Sequence, residues 1–495
     1  MNSRNSGVLS RLRTLRWFRR SFGSLLSLFL LVNVYGCAAV GPDYVPVKIK
    51  TAKVWNSGLT GGLTDKTTSA SNLAAWWKTL NDPILSGLMG RAVANNLDLK
   101  EARSRVREAR AQRGISEADF YPTLNASGRI NRSSGSKETG SGQYRTLYAA
   151  GFDAGWELDL FGGVRRSVEA AEADLQASQQ DLRNVMVSLL AEVALNYVEA
   201  RTYQTRLAVN IANLAAQEDT HDMAQARFLA GLSDELAVHQ ARYNLESTRA
   251  RIPTLRTGLQ EALNRLAVLL GQHPGAIHGA LKKPGPIPVT PLEVAVGVPA
   301  DTLRRRPDIH QAERKLAAQT ARIGVATAEL YPKFTLTGSI GLESLSSGNL
   351  FSSAARTLGM GPGFSWRLFE SGAIRRNIEV KSALQEQALI QYESAVLHAL
   401  EEVENALVAY AEEQQRRTAL EEATGAAQRA EKLARDKYQA GLIDFSEVLD
   451  AQRSLLSLQD QLAQSNGAVT SNLVRLYKSL GGGWAAMTPA GGLES

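Results

Sequence analysis

Beyond Pro122 polar and apolar residues alternate, with Leu124, Ala126, Gly128 and Ile130 on one face and Thr123, Asn125, Ser127 and Arg129 on the other. The same period of two runs through Tyr148, Ala150, Phe152, Ala154, Trp156 and Leu158. It returns at Phe334, Leu336, Gly338, Ile340 and Leu342, and again at Leu358, Met360, Pro362, Phe364, Trp366 and Leu368. A period of two turns successive side chains to opposite faces of a strand. Four strands are therefore predicted, at about 122–131, 146–160, 333–344 and 356–369. Each has the length of a tilted membrane-spanning strand, about ten residues, with an apolar face for lipid and a small or polar face for a lumen. A soluble sandwich with one buried face fits the alternation equally well. Ser/Gly-rich loops, Ser133–Gly142 and Ser344–Ser353, join the strands of each pair and belong on a solvent-exposed surface. Four strands cannot close a barrel, and open edges are not tolerated in lipid. Spanning a membrane would require several chains in one barrel, and three chains would supply twelve strands.

The rest of the chain has helical periodicity. No proline interrupts about 164–228 or 374–438, and apolar residues recur every seven positions: Leu175, Leu182 and Leu189, then Leu389, Val396, Val403 and Tyr410. That spacing is coiled-coil-like. A helix of about 65 residues is roughly 100 Å long. Shorter helices are expected at about 95–120 with 234–270, and at about 308–330 with 444–480; end to end, each pair nearly matches a long helix. Such a rod suits a tube across a periplasm, and it also suits a coiled-coil scaffold. At the far tips the chain turns at Ala230-Gly231-Leu232 and Ala440-Gly441-Leu442. Glycine fits a helix C-cap there, and Asp234 and Asp444 fit the N-caps that follow. Asp444-x-x-Glu447 has capping-box spacing with Asp in place of Ser or Thr. Capping accounts for these acids; the competing reading puts them at a pore mouth. Glu447 and Asp450, three apart, would share a helix face and ring the opening of an oligomer.

Sliding the sequence 210 places lays its second half over its first. Gly114 falls on Gly324, Tyr121-Pro122 on Tyr331-Pro332, Trp156 on Trp366, Gly162 on Gly372, Gly231-Leu232 on Gly441-Leu442, and Gly271 on Gly481. These residues have backbone-specific or bulky roles, so one constant offset marks a duplicated unit. The fold class expected is mixed α and β, built from two tandem repeats. Repeat 1 is 73–271, with helices about 73–120 and 164–270; repeat 2 is 301–483, with helices about 308–330 and 373–480. The connector 272–300 is crowded with prolines and should be extended. The Thr/Gly/Ser-rich stretch Val54–Asn72 should wrap the body loosely, and 484–495 form a tail.

Residues 1–36 carry six arginines, no acid and an apolar run from Phe22 to Val32, ending before Cys37. This describes an export signal, too short and wrongly flanked for a membrane span. The net charge of +7 falls to +1 once the six arginines leave with it, which removes the nucleic-acid reading that the high pI invites. Cys37 is the only cysteine, so it forms no internal disulfide. Val34-Tyr35-Gly36-Cys37 resembles a lipoprotein cleavage site, with Tyr35 in place of the usual small residue, and makes 37–72 a lipidated N-terminal segment. Covalent lipid is the only non-protein group expected. Arg19-Arg20-Ser21-Phe22 faintly resembles a twin-arginine signal. Ala38 is not the Asp that, in the familiar lipoprotein rule, retains a protein at the inner membrane. The six histidines lack metal-ligand spacing, and Gly481-Gly482-Gly483-Trp484 lacks the Lys-Ser/Thr of a phosphate loop and follows a helix. No catalytic constellation is present.

Trp76-Trp77-Lys78-Thr79-Leu80-Asn81-Asp82-Pro83, followed by Asn95, Leu97, Asp98 and Leu99, resembles the start of the TolC-type outer membrane efflux proteins. Residues 299–309 (Pro-Ala-Asp-Thr-Leu-Arg-Arg-Arg-Pro-Asp-Ile) resemble their mid-chain hallmark. Trp156–Gly163 and Leu449–Leu455 complete the pattern, and Cys37 with Gly41-Pro42-Asp43-Tyr44 points to the lipoprotein branch, the OprM- and NodT-like proteins. The resemblance implies a homotrimer sharing a twelve-strand outer membrane β-barrel, continued by a long α-helical periplasmic tunnel. It implies an outlet duct for an inner-membrane pump, of the RND type, joined by a periplasmic membrane-fusion adaptor. By the same likeness Tyr438 matches a tyrosine that holds such tunnels shut. Asp444, Glu447 and Asp450 fall at the periplasmic aperture, and Gly231, Leu232, Gly441 and Leu442 at the tips that adaptors grasp. Ile443 and Ala237 depart from the arginine and aspartate of the TolC archetype, so its closing ion-pair network cannot be copied. Export of a polysaccharide, a nodulation-type oligosaccharide or a protein is the alternative cargo, and a structural coiled-coil lipoprotein scaffold the alternative of another class.

Overall fold

A computed structural model of the protein describes residues 39–47, 52–66, 73–289 and 293–484. The signal 1–36, Cys37 and the tail beyond Trp484 lie outside the described residues. In chain order the elements are β1 (Leu63–Thr64), α1 (Pro83–Asn95), α2 (Leu97–Ala118), β2 (Thr123–Ser134), β3 (Tyr144–Leu158), α3 (Gly163–Leu229) and α4 (Glu235–Leu269). There follow β4 (Val294–Ala295), α5 (Pro299–Leu303), α6 (Pro307–Ala328), β5 (Lys333–Ser344), β6 (Arg356–Ser365), α7 (Ala373–Gln439) and α8 (Phe445–Ser479). Helices α2 and α6 have 22 residues each, α3 and α7 have 67, and α4 and α8 have 35. The duplication is thus one of backbone lengths as well as of scarce residues.

The chain forms two units. The first, which among the described residues comprises 39–47, 107–176 and 313–390, contains a four-stranded antiparallel sheet in the order β2-β3-β5-β6. Both repeats fasten strand to helix in the same way. Trp156 donates its indole N–H to the Phe120 carbonyl at 2.8 Å, and Trp366 donates to Leu330 at 3.0 Å. The alternation continues to Leu368, but β6 ends at Ser365, because its partner Lys333 is the first residue of β5 and Pro332 precedes it.

The second unit holds the larger core, with Trp76, Trp77, Tyr197 and Tyr410 fully buried. Here too the repeat recurs in side-chain ties. Asn96 donates from Nδ2 to the Leu269 carbonyl (3.0 Å), and Arg306, 210 positions later, donates from Nη1 to the Ser479 carbonyl (2.8 Å). Each tie satisfies a helix-end carbonyl left without an intrahelical partner. Burial pushes the Tyr197 hydroxyl up to about 12; it donates to Asp82 Oδ2 at 2.6 Å and accepts from Arg201 Nε at 3.0 Å.

Two sequence expectations are corrected in this unit. The helical span expected over 73–120 is divided into a 3-10 turn at Trp76–Leu80, α1 and α2, the last lying where the shorter helix at about 95–120 was expected. Asn81 takes a left-handed conformation (φ 51°), and Asp82 caps α1 by accepting from Ile84 N and Leu85 N, with Pro83 at the first helical position. Asn96 then leaves helical geometry (ψ 136°) and its Oδ1 accepts from Leu99 N. The stretch from Val54 is not loose where it is described. Trp55 is buried and donates to the Gly297 carbonyl at 2.8 Å, Glu404 accepts from the Asn56 and Ser57 amides, and β1 pairs in parallel with β4 of the connector.

Candidate functional site

The sheet has two unlike faces. Register lines up Ala126, Phe152, Ile340 and Leu358 across the four strands on one face. One residue along, Asn125, Asp153, Ser339 and Gly359 line up on the other, where Asp153 accepts from Ser127 Oγ at 3.0 Å. Phe152, Ile340, Leu358, Met360 and Phe364 are all exposed, as are Leu124 and Ile130. A soluble chain does not leave so continuous an apolar surface to water. The sheet also has two open edges, β2 and β6, each hydrogen-bonded along one side only. Among the described residues no helix is long and apolar enough to cross a membrane.

The second region is the pair of helix-hairpin tips in the second unit. Gly231 (φ 70°) and Gly441 (φ 72°) both end a long helix in the left-handed region, with open space around a Cβ. At each tip the glycine N–H bonds three residues back and the next leucine N–H five back: Gly231 to Phe228 and Leu232 to Arg227, Gly441 to Tyr438 and Leu442 to Lys437. These are Schellman closures, which need a residue tolerant of positive φ. They leave Leu232 and Leu442 about 70% exposed at 68% and 71%. The capping acids then diverge. Asp234 accepts from Ala237 N at 3.0 Å, whereas the Asp444 side chain makes no capping bond and the Asp444–Glu447 box does not close.

Behind the tips, Tyr438 is buried (6% exposed) in an apolar cluster with Phe445, Val448, Leu449, Ala224, Ala237 and Ala241. Its ring lies 5.1 Å from that of Phe445, and the Arg227 guanidinium sits 4.9 Å from its centroid. Ile443 packs against the same cluster, partly buried. Ala237 and Ile443, the two positions at which the sequence departs from the archetype, thus both take part in apolar packing. Phe445 and Arg227 were not singled out in the sequence; Arg227 meets Tyr438 across the two hairpins, whereas Phe445 lies on Tyr438's own hairpin, seven residues on. Glu447 and Asp450 are both exposed. Asp450 pairs with Arg453 Nη2 at 2.8 Å, a partner that three-residue spacing could have shown; among the described residues Glu447 has no ion pair. Cys37 lies outside the described residues. Among those described, no group of His, Cys, Asp and Glu could hold a metal ion.

The sequence pattern that defines outer membrane efflux proteins matches residues 88–272 and again 298–482, two stretches at the same 210-residue separation. Over 464 residues the chain is 32% identical to nodulation protein T of Rhizobium leguminosarum bv. trifolii, covering 94% of this chain and 98% of that protein. It is also 32% identical over 465 residues to the solvent efflux pump outer membrane protein SrpC of Pseudomonas putida, covering 93% and 98%. The solved structure of the outer-membrane channel OprN matches with a TM-score of 0.84 at 35% identity, over 90% of this chain and 100% of that one.

Proposed function

The chain belongs to the outer membrane efflux protein family, and from that premise we propose that it is the passive outlet duct of a tripartite efflux system. Three copies close one barrel of twelve strands, each giving the four of its sheet, and their helices form a periplasmic tunnel. The observation that carries this reading is a sheet with one exposed apolar face, one small and polar face, and two unpaired edges. In lipid those edges must be paired, and copies of the same chain offer the complementary edge. Cargo is selected by an inner-membrane pump of the RND type and handed over through a periplasmic adaptor, which grips the exposed Leu232 and Leu442 beside the Gly231 and Gly441 turns. The duct needs no catalysis and no cofactor; acyl chains on Cys37 add an anchor worth about 0.8 kcal/mol per buried methylene. The Tyr438 cluster holds the tips together in the resting state, and Asp444, Glu447 and Asp450 face the aperture.

Cross-linking of membranes tests the assembly. Three-chain species that survive mild detergent are expected, and Cys37→Ser carrying an intact signal should still form them. A monodisperse monomer that remains inserted in bilayers would overturn the shared barrel.

A further inference from the structure

The apolar face of the sheet carries charge at one end only. Among the described residues of β2, β3, β5 and β6 on that face, the charged ones are Arg132 and Arg356, and no acid accompanies them. Register fixes both on the face. Arg132 lies opposite Thr146, two residues beyond the Ile130–Tyr148 pair, and Arg356 lies opposite Leu342, two before the Leu358–Ile340 pair. Both stand at the loop end of their strands and both are exposed. Among the described residues neither has an ion pair; the Arg132 guanidinium sits 5.1 Å from the ring centroid of Tyr144, itself exposed. The helix end of the same face is closed by Trp156, Phe334 and Phe364, without charge. The polar face mixes both signs, with Arg129 and Arg145 as well as Asp153 and Glu343.

The two arginines occupy the two edge strands, and the stagger of the ladder sets them at one level. A straight line across the sheet joins Arg356 to Leu342, Ala150 and Gly128, four residues short of Arg132. At the other end the line from Thr123 runs through Gly155 and Thr337 to Gly361, and β6 continues four residues further, to Ser365. The sheet is thus a parallelogram, with β2 overshooting at the loops and β6 at the helices. Tilted strands cut off between two level membrane surfaces have that outline. Arg132 and Arg356 then lie along one boundary, with Tyr144 and Tyr148, and Trp156 and Phe364 lie along the other. Aromatic girdles mark both levels at which a membrane barrel meets the headgroups, and a lipid-facing arginine is tolerated there far better than at the midplane. Tolerance accounts for the position of the two arginines, but not for the missing acids.

We propose that Arg132 of one copy and Arg356 of the next clamp the phosphate of an anionic lipid headgroup at each subunit seam, in the leaflet on the loop side. This rests on the shared barrel proposed above, in which β6 of one copy pairs with β2 of its neighbour. Neighbouring strands lie about 4.8 Å apart, so the two guanidinium groups reach a common anion. Each guanidinium offers a phosphate two parallel N–H donors. With no carboxylate on this face, their charge stays uncompensated until an anion arrives. Ile130, Leu342 and Leu358 lie on the midplane side of the arginines and offer acyl chains an apolar wall. That wall is why a lipid fits this site better than an acidic peptide does.

Native mass spectrometry of the full-length protein in detergent, titrated with bis-phosphorylated lipid A, reads oligomer mass and bound lipid in one spectrum. The parent trimer should hold up to three lipids. Arg132→Gln and Arg356→Gln should each weaken that binding roughly tenfold, since one of two charge-assisted partners is lost. Arg129→Gln, which removes the same charge from the polar face, should leave it unchanged. Zwitterionic phosphatidylcholine should bind the parent and all three variants alike. The seam itself is tested by co-expressing R132Q and R356Q chains that carry tags of different mass. Every mixed trimer contains one seam with both arginines, so it should hold one lipid A at the parent's affinity, and neither variant's own trimer should. Mixed trimers that bind no better than the unmixed ones overturn the seam. Lipid A binding that is unchanged in both variants, or equally weakened by Arg129→Gln, overturns the clamp and leaves the trimer standing. A parent protein with no trimer in the spectrum overturns the shared barrel, and the seam with it.

Discussion

The two hairpin tips share a backbone and differ in what they bury. Gly231 and Gly441 close their helices at φ 70° and 72° with the same pair of hydrogen bonds. Yet Phe228, the counterpart of Tyr438, is 39% exposed where Tyr438 is 6% exposed. Phe445 is buried where its counterpart Glu235 faces water, and the first hairpin meets the cluster with Ala224, Ala237 and Ala241. The second tip supplies bulk and the first supplies a smooth surface to receive it. Duplication has fixed the turn, whose geometry depends on glycine, and left the side chains around it free to become complementary.

The largest effect expected from this difference is in the aromatic pair. Tyr438→Ala should cost about 3–5 kcal/mol of local stability, the range for an aromatic removed from a core, and Phe228→Ala well under half of that. Hydrogen exchange of residues 434–449 measures both; equal losses would dissolve the asymmetry. Next come the turns. Gly441→Val and Gly231→Val should cost similar amounts, about 1–2 kcal/mol, because both positions need positive φ. Each should weaken pump assembly and efflux with trimers intact, so normal efflux by either variant would remove that tip from the docking surface. The smallest effect concerns the caps. Asp234→Ala should destabilise the start of α4 by about 0.5–2 kcal/mol, and Asp444→Ala should cost α8 only a few tenths, since only Asp234 bonds an amide. Helix-end exchange rates in the two variants distinguish these, and a larger loss at Asp444 would reverse the assignment.

Much of this architecture is written in short-range signals. Trp156 and Trp366 share an environment because the offset that aligns them also aligns Phe120 with Leu330, whose carbonyls they bind. The glycine-leucine turns were visible for the same reason, as glycine at a helix end has few other uses. The break at Asn81-Asp82-Pro83 carried its own cap and N1 proline, short-range signals that a single helical span over 73–120 passes over. What the sequence did not reveal depends on contacts far apart in the chain. Tyr438 meets Ala224 and Ala237 across two hairpins, and Arg166 meets Asp43 across 123 positions. Nothing in local spacing predicts either. Glu447 and Asp450 lie between these cases: their shared face followed from spacing, whereas the Arg453 partner of Asp450 shifts the unpaired charge to Glu447.

Ionic current through the purified protein in planar bilayers, read as a reversal potential across a KCl gradient, tests the central claim that this chain is a duct with its acids at the mouth. Discrete channels are predicted, cation-selective because three copies bring their carboxylates around one axis. Glu447→Gln should reduce that selectivity more than Asp450→Asn, whose carboxylate already faces Arg453. Absence of channels would contradict the duct itself. Channels whose reversal potential ignores both substitutions would leave a duct but take Glu447 and Asp450 out of its aperture.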